Sequence, residues 1–521
     1  MKKPDHFISQ TPLTLNDFGN YLRRRFRISL SPDIRQMVDA ARKVIDRILA
    51  SEKPVYGVNT GFGNFSEVRI PLETVNELQH RLVLSHAAGV GPPVPHDVVR
   101  LMMLLKIKSL ALGYSGCRWE TLQLLTGMIN HQILPVIPQK GSVGASGDLA
   151  PLAHLALVMI GQGSAFVPSS VRKGEMEWQR LDGKQALKKY KLQPVTLSAK
   201  EGLALLNGTQ AITAYGVWTL LKSEQLVRTA DIIGAMTLES LLGTLTPFDE
   251  RIQQVRNHPG QFVVAQNFRR LLAGSPIVAS HKDSDHKVQD AYSLRCIPQV
   301  HGAVRDGLGY ITSVFLNEAN GVTDNPLVFA ETEEVLSGGN FHGAPVAGAA
   351  DFMAILLTDL ASLAERRIEH MLDHSVSELP PFLTEEGGLN SGFMMAHVTA
   401  AALVSECKVL SHPASVDSIP TSANKEDHVS MGLYAARKAS EIVQNLEYIL
   451  AIELLCACQA LDFRGSLKPS DATAAVRDLV RKTIPFWKED RLMAKDIALS
   501  RELIRTGRII TTAESRCGTL H

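Results

Sequence analysis

Cysteine is scarce in this chain: six thiols in 521 residues, at positions 117, 296, 407, 456, 458 and 517, with no C-x-x-C pair among them. That sparseness excludes a disulfide scaffold, fits a reducing cytoplasmic compartment, and leaves Cys456 and Cys458 to act as small hydrophobes. Charge of one sign is also missing. The 54 basic residues face 53 acidic ones, for a net +1, which argues against nucleic acid or a membrane surface as partner. The one basic run, Arg23-Arg24-Arg25-Phe26-Arg27, reads as a solvated helix end. No run of about 18 uncharged apolar residues appears, so no membrane span is expected. The N-terminal MKKPDHFISQTPLTLNDF has no uninterrupted apolar stretch of the secretory kind. Metal-ligand spacing is absent too: His281-Lys282-Asp283-Ser284-Asp285-His286 holds ligand residue types in neither a zinc nor an EF-hand pattern, reads as a solvated loop, and no metal is expected.

Strand signals are few and short, at 135–138 and 166–171, whereas long helices are predicted from apolar spacing over 97–113, 149–161, 209–242, 348–373, 395–411 and 431–461. The class is mainly α. Several of these helices are rich in Ala and Leu around most of their circumference and must be covered on most sides, which implies a long antiparallel bundle and contacts beyond one chain. No repeat or low-complexity linker divides the sequence. We therefore expect one continuous unit, with a loop-rich N-terminal region over 1–208 and the central bundle and C-terminal helices over 209–521. Gly- and Asn-rich loops at 56–65, 281–302, 320–345 and 415–430 are where a helical scaffold would place its chemistry.

The most specific of the motifs is GSVGASGDLAPLAHLALVMIGQG, residues 141–163. Within Ala145-Ser146-Gly147, attack of the Gly147 nitrogen on the Ala145 carbonyl with loss of water closes a five-membered ring. Loss of the Ser146 β-hydroxyl as a second water leaves an exocyclic methylidene, giving 4-methylideneimidazole-5-one, an electron-poor alkene. Small flanking residues permit so tight a turn, and Gly147 can take a positive φ. Asp148 as N-cap, Pro151 in the first turn and Gly161 and Gly163 at the end predict a helix, so the ring sits at a helix N-terminus, where the macrodipole favours the negative charge that it accepts. The competing serine-hydrolase reading fails because the nucleophile elbow requires glycine on both sides of the serine at i−2 and i+2, and Asp148 occupies the second place.

The extended motif resembles the signature of the aromatic amino acid ammonia-lyase family. The resemblance continues through YGVNTGFGN (56–64), LSHAAGVG (84–91), LLNGTQ (205–210), VQDAYSLR (288–295), NGVTDNPL (320–327), SGGNFHG (337–343) and SIPTSANKEDHVSM (418–431). It implies an autocatalytic prosthetic ring with no external cofactor, and catalytic roles for Tyr56 as acid or base and for Asn207 and Tyr292 around the ring. It further implies that Asn325 lies by the ring, that Phe341 walls the pocket, and that Arg295 grips the substrate carboxylate as a planar fork. Gln289, Tyr292 and Arg295 are spaced so that a helix would align them on one face. His86 and Glu426 match the histidine-using form of the selectivity and C-terminal loops. The function implied is non-oxidative elimination of ammonia from L-histidine to trans-urocanate by a homotetramer whose sites combine loops of different subunits.

Four positions depart from the usual pattern of the histidine enzymes: Lys425 for Gln, Ala291 for Pro, Ile297 for Gln and His301 for Met. They bear on fine substrate preference rather than on reaction type. A tyrosine ammonia-lyase or 2,3-aminomutase stays open beside the histidine reading, because a histidine in the selectivity loop also suits a phenol. A catalytically silent helical assembly would explain the apolar helices but not the clustered polar loops.

Overall fold

The computed structural model describes residues 5–24, 26–51, 54–61, 68–172, 175–282 and 287–521. Arg25 of the basic run, residues 62–64 of the tyrosine loop and residues 283–286 of the rejected metal loop lie outside the described residues. The mainly helical class expected from periodicity is observed, and each of the six long predicted helices is present: His96–Ala111, Leu149–Met159, Gln210–Ser240, Ala344–Leu372, Met394–Leu410 and Gly432–Phe463. Contacts divide the chain into two compact units, each assembled from three stretches. The first takes 1–218, 312–351 and 413–437, and the second takes 219–311, 352–412 and 438–521.

The first unit contains every β-strand among the described residues. Asp5–Ile8 pairs in parallel with Arg27–Leu30. Val90–Pro93 runs antiparallel to Pro138–Lys140, and Ser164–Arg172 lies between Leu134–Pro135 and Glu175–Asp182. A hairpin joins Leu327–Phe329 to Glu334–Leu336. The predicted strand at 166–171 therefore forms, whereas 135–138 is split between the ends of two separate strands.

His96–Ala111 is buried continuously from Val98 to Ala111, including Arg100, Lys106 and Lys108. A helix covered on every side must satisfy its cations internally. Lys108 donates to the Ser9 and Thr11 carbonyls at 2.7 and 3.0 Å. Lys106 donates to the carbonyls of Ala204 and Asn207 at 3.2 and 2.6 Å, which binds the end of the short helix Glu201–Leu206. Burial lowers the Lys106 ammonium to about 8. Glu201, fully buried, accepts from Arg118 at 2.6 Å, from Thr121 Oγ1 at 2.5 Å and from the Ser198 nitrogen at 2.8 Å.

In the second unit a buried polar network replaces part of the apolar core. His301 donates through Nδ1 to Asp231 at 2.8 Å and accepts at Nε2 from Arg367 at 3.3 Å. Arg367 forks onto Glu453 at 2.5 and 3.0 Å, and Asn267 and Arg305 also donate to Asp231, at 2.8 and 2.5 Å. Burial holds His301 below the usual histidine range, so it is neutral here, with one nitrogen donating and the other accepting.

Helix Ala344–Leu372 is long and apolar enough to cross a bilayer by length and composition alone. Asp351 and Asp359 interrupt it, and Asp351 is buried and accepts from the Ser415 nitrogen at 2.7 Å.

Gly216 illustrates how close the packing is in the first unit. A Cβ there would overlap the ring of Phe315, which is fully buried. Gly→Ala inside a helix ordinarily stabilises by about 0.5–1 kcal/mol, but overpacking a filled core costs about 1–3 kcal/mol. Gly216→Ala is therefore expected to lower the midpoint of thermal unfolding, and Gly216→Ala with Phe315→Leu to recover part of the loss. A rise in midpoint for the single variant would contradict the packing argument.

Candidate active site

A cavity of about 730 Å³ lies wholly within the first unit and has the size of a small-molecule site. Tyr56, His86, Ala145, Ser146, Asn207, Asn325, Phe341 and Glu426 line it together. These eight of the twelve expected residues come from seven separate motifs of the sequence. Gly147 completes the turn beside Ser146. Gln289, Tyr292 and Arg295 belong to the second unit and are not among the lining residues.

The turn Ala145-Ser146-Gly147 leads into helix Leu149–Met159, as the sequence predicts. Gly147 has φ +73, and a Cβ on it would collide with the Gly208 carbonyl; only glycine fits both constraints. The Asp148 nitrogen donates to Gly208 O at 2.8 Å and the Gly208 nitrogen donates to Ser146 O at 3.3 Å. Ser142 Oγ lies 3.3 Å from Gly147 O and 3.2 Å from Asp148 Oδ1, and it accepts from the Gly144 nitrogen at 3.1 Å. Asp148 stands at the N-cap position of its own helix, but its side chain makes no bond to that helix. It accepts instead from the nitrogens of Ala211 and Ile212, at 2.8 and 2.9 Å, in the first turn of Gln210–Ser240. This corrects the simple capping expectation. Full burial raises the Asp148 carboxyl to about 7 despite these hydrogen bonds.

Tyr56 is carried by a loop whose Val58 is fully buried in a cluster with Val44, Ile45, Val75 and Val328. Asn59 Oδ1 accepts from the Val55 nitrogen at 2.7 Å, and Gly57, at φ +74, leaves no room for a Cβ against Leu203 and Pro326. The loop is thereby held on both sides of the phenol.

His86 ends helix Val75–His86. Its Nδ1 lies 2.9 Å from the Leu82 carbonyl. A carbonyl only accepts, so the proton is on Nδ1 and Nε2 carries a lone pair. Burial lowers the His86 pKa, and the Leu82 hydrogen bond and the Glu426 charge oppose the shift less strongly. At neutral pH the imidazole is therefore an uncharged acceptor. The segment after it is fixed by His154, whose Nε2 accepts from the Gly89 nitrogen at 3.1 Å.

Glu426 accepts at Oε2 from the hydroxyls of Thr421 and Ser422, both at 2.7 Å, and at Oε1 from Ser146 Oγ at 3.2 Å. The carboxylate expected to address a substrate ring thus also touches the serine of the turn. Asn207 donates through Nδ2 to Asn325 O at 2.6 Å. Asn325 Oδ1 accepts from the Gly338 nitrogen at 2.7 Å, which fixes the loop leading to Phe341. Behind both amides Asp324 pairs with Lys200 at 2.7 Å, both buried.

The expected common helical face of Gln289, Tyr292 and Arg295 does not form. The helix there is only Tyr292–Arg295, and Gln289 precedes it. The Arg295 guanidinium stacks on the Tyr292 ring at 4.4 Å, and that ring is exposed. Of the four departures, only Lys425 lines the cavity. His342 and His428 also line it, with rings stacked 5.8 Å apart. They stand within motifs singled out in the sequence, yet no spacing rule marked them or His154.

The family model described as aromatic amino acid lyase matches residues 13–482. The histidine ammonia-lyase of Myxococcus xanthus is 50% identical over 515 residues, covering 99% of each chain. Among solved structures, histidine ammonia-lyase from Trypanosoma cruzi superposes with a TM-score of 0.89 at 42% identity, covering 98% of this chain and 95% of that one. Tyrosine aminomutase from Streptomyces globisporus gives 0.90 at 35% identity, covering 99% and 100%. A family model spanning most of the chain and a full-length relative at half identity agree with the glycine-bound turn and its cavity: the chain belongs to the aromatic amino acid lyase family.

Proposed function

We propose that this protein is a carbon–nitrogen lyase that eliminates ammonia non-oxidatively from L-histidine to give trans-urocanate, the opening step of histidine degradation. The observation that carries this reading is the presence, in one cavity with Ala145 and Ser146, of two acceptors suited to an imidazole: neutral His86 and the Glu426 carboxylate. Full-length relatives at about half identity carry the same activity in their names. Six free thiols support placement in the cytoplasm.

The turn fits a backbone-closed 4-methylideneimidazole-5-one, because glycine is required at 147 and the segments on either side are tethered. Held by the backbone of residues 145–147, that ring would supply an electrophilic alkene able to activate the leaving group or β-proton of a substrate. Tyr56 is the base. Asn207 and Asn325 order the floor of the cavity through their mutual hydrogen bond, and Phe341 walls it. His86 and Glu426 receive the N–H edge of the imidazole.

A free amino acid also needs a cation for its carboxylate, and among the described residues Lys425 is the only Lys or Arg lining the cavity. We assign that role to Arg295, with Gln289 and Tyr292, supplied by a neighbouring copy in a homotetramer. Support comes from the exposed Tyr292 and from Met394–Leu410, an apolar helix of which only Ala396, Ala400 and Cys407 are buried within the chain. Helices of that composition require a cover.

Ser146→Ala is expected to fold and to lose nearly all activity, because the methylidene carbon is the serine β-carbon and nothing nearby replaces it. The peptide spanning residue 146 then lacks the double dehydration in mass spectrometry. Near wild-type elimination by this variant would overturn the mechanism. Arg295→Lys keeps charge but not the planar fork, so kcat/KM is expected to fall more than about tenfold, or about 1.4 kcal/mol of transition-state stabilisation. A smaller loss removes Arg295 as the carboxylate anchor.

Glu426→Gln is expected to reduce histidine turnover with the ring intact, and His86→Leu to make the same side of the pocket apolar. Together they are expected to shift the ratio of kcat/KM from histidine towards phenylalanine, since polar groups left unpaired penalise an apolar ligand. An unchanged ratio places selectivity elsewhere. A wild-type preference for tyrosine favours the reading as a tyrosine lyase or 2,3-aminomutase, whose phenol hydroxyl also suits the lone pair of His86.

A further inference from the structure

Ser430 sits where three loops converge. It is almost fully buried, and three glycines surround its hydroxyl. A Cβ on Gly144 would collide with Oγ, while one on Gly343 or Gly432 would lie 2.8 or 3.3 Å from it. Oγ accepts from the Gly432 nitrogen at 3.2 Å and donates to the Gly144 carbonyl at 3.3 Å. The next residue, Met431, donates from its backbone nitrogen to Val143 O at 2.9 Å. Residues 430 and 431 therefore hold the two peptide planes that enter the turn.

The planes that leave it are held from another side. Ser146 O accepts from the Gly208 nitrogen at 3.3 Å, Gly147 O from Ser142 Oγ at 3.3 Å, and the Asp148 nitrogen donates to Gly208 O at 2.8 Å. Among the described residues, the carbonyls of Val143, Gly144, Ser146 and Gly147 are thus all engaged, whereas Ala145 O accepts no hydrogen bond and the Gly147 nitrogen donates none. These two unengaged groups are the pair that must react.

We propose that Ser430 is a positioning residue for closure of the prosthetic ring: with Met431 it clamps the entry side of the turn against the exit clamp at Gly208, so that the Gly147 nitrogen meets the Ala145 carbonyl. The inference rests on the ring reading above. In the step itself an N–C bond forms between Gly147 N and Ala145 C. The Ala145 oxygen leaves as water with the protons of the Gly147 and Ser146 nitrogens, and a C=N bond remains between Ala145 C and Ser146 N. The Ser146 Cα proton and β-hydroxyl then leave as the second water. Peptide nitrogens are poor nucleophiles, and fixing both partners in a near-attack arrangement is how a fold accelerates such a reaction without an added reagent. Ser430 touches neither reacting atom; it acts through Gly144.

The test follows ring closure by mass in the full-length chain. Wild type, Ser430→Ala and Ser430→Cys are denatured immediately after synthesis in a cell-free system and refolded. The peptide spanning residues 141–152 is then sampled over time for loss of two waters, alongside far-ultraviolet circular dichroism. Closure in Ser430→Ala is expected to be slower by at least about tenfold at equal helix content, with Ser430→Cys, a weaker donor of similar shape, in between. If either folded variant closes at the wild-type rate, the assignment of Ser430 is overturned. If Ser430→Ala does not fold, Ser430→Cys alone decides. A wild-type peptide that never loses water overturns the ring reading instead, so the two failures are distinct.

Discussion

The buried carboxylate of Asp148 is the contact on which the site's architecture depends. It stands at the start of one helix and accepts two backbone N–H groups from the start of another. The N-terminus of Gln210–Ser240 carries a partial positive charge and orphan donors, and the Asp148 carboxyl satisfies two of them while its own helix receives no bond from it. Burial nevertheless outweighs that support and lifts the carboxyl from 3.8 to about 7. Because the folded value lies above the unfolded one, this group's contribution to stability falls as pH rises from about 4 to about 7 and changes little beyond. The fold bears that cost at the residue next to Gly147, where the anion ties the turn to Gln210–Ser240.

From that junction the loops are linked to one another through backbone carbonyls and side-chain amides, starting from the buried Lys106. Lys106 binds the Asn207 carbonyl, Asn207 binds the Asn325 carbonyl, and Asn325 binds the Gly338 nitrogen. Each link positions the next loop, so the wall carrying Phe341 is registered to the turn through a chain of buried hydrogen bonds. Such networks are strong when every member is satisfied and costly when one is removed. The glycines at 147, 208 and 144 belong to the same logic, since close backbone approach leaves no space for side chains.

Much of this was legible in the sequence, and the reasons differ by element. Long helices announce themselves by periodicity, and the helix predicted over 395–411 is observed at Met394–Leu410. The cavity residues were found because the motifs that carry them are local strings. Long-range pairings left no local trace: Asp148 capping a distant helix, His154 holding Gly89 and Ser430 holding Gly144 each join segments whose spacing carries no rule. The common face proposed for Gln289, Tyr292 and Arg295 assumed a helix two turns long, but only Tyr292–Arg295 is helical. The linear split at 208 and 209 likewise could not anticipate units interleaved from three stretches each.

The four departures from the usual histidine pattern separate on physical grounds. His301 in a core needs a partner at each ring nitrogen, and Asp231 and Arg367 supply both, so its role is exhausted by the network of the second unit. Ile297 is fully buried, and Ala291 precedes the helix Tyr292–Arg295. Lys425 alone faces the cavity, beside two acidic neighbours, Glu426 and Asp427. Its charge does not set the hydrogen-bonding sense of the two acceptors, because each is fixed by neutral groups: the Leu82 carbonyl holds the His86 proton on Nδ1, and the hydroxyls of Thr421 and Ser422 hold the Glu426 carboxylate as an acceptor. Two acceptors fixed in that sense favour a ligand edge that donates, and an imidazole N–H meets that condition where a phenyl ring does not.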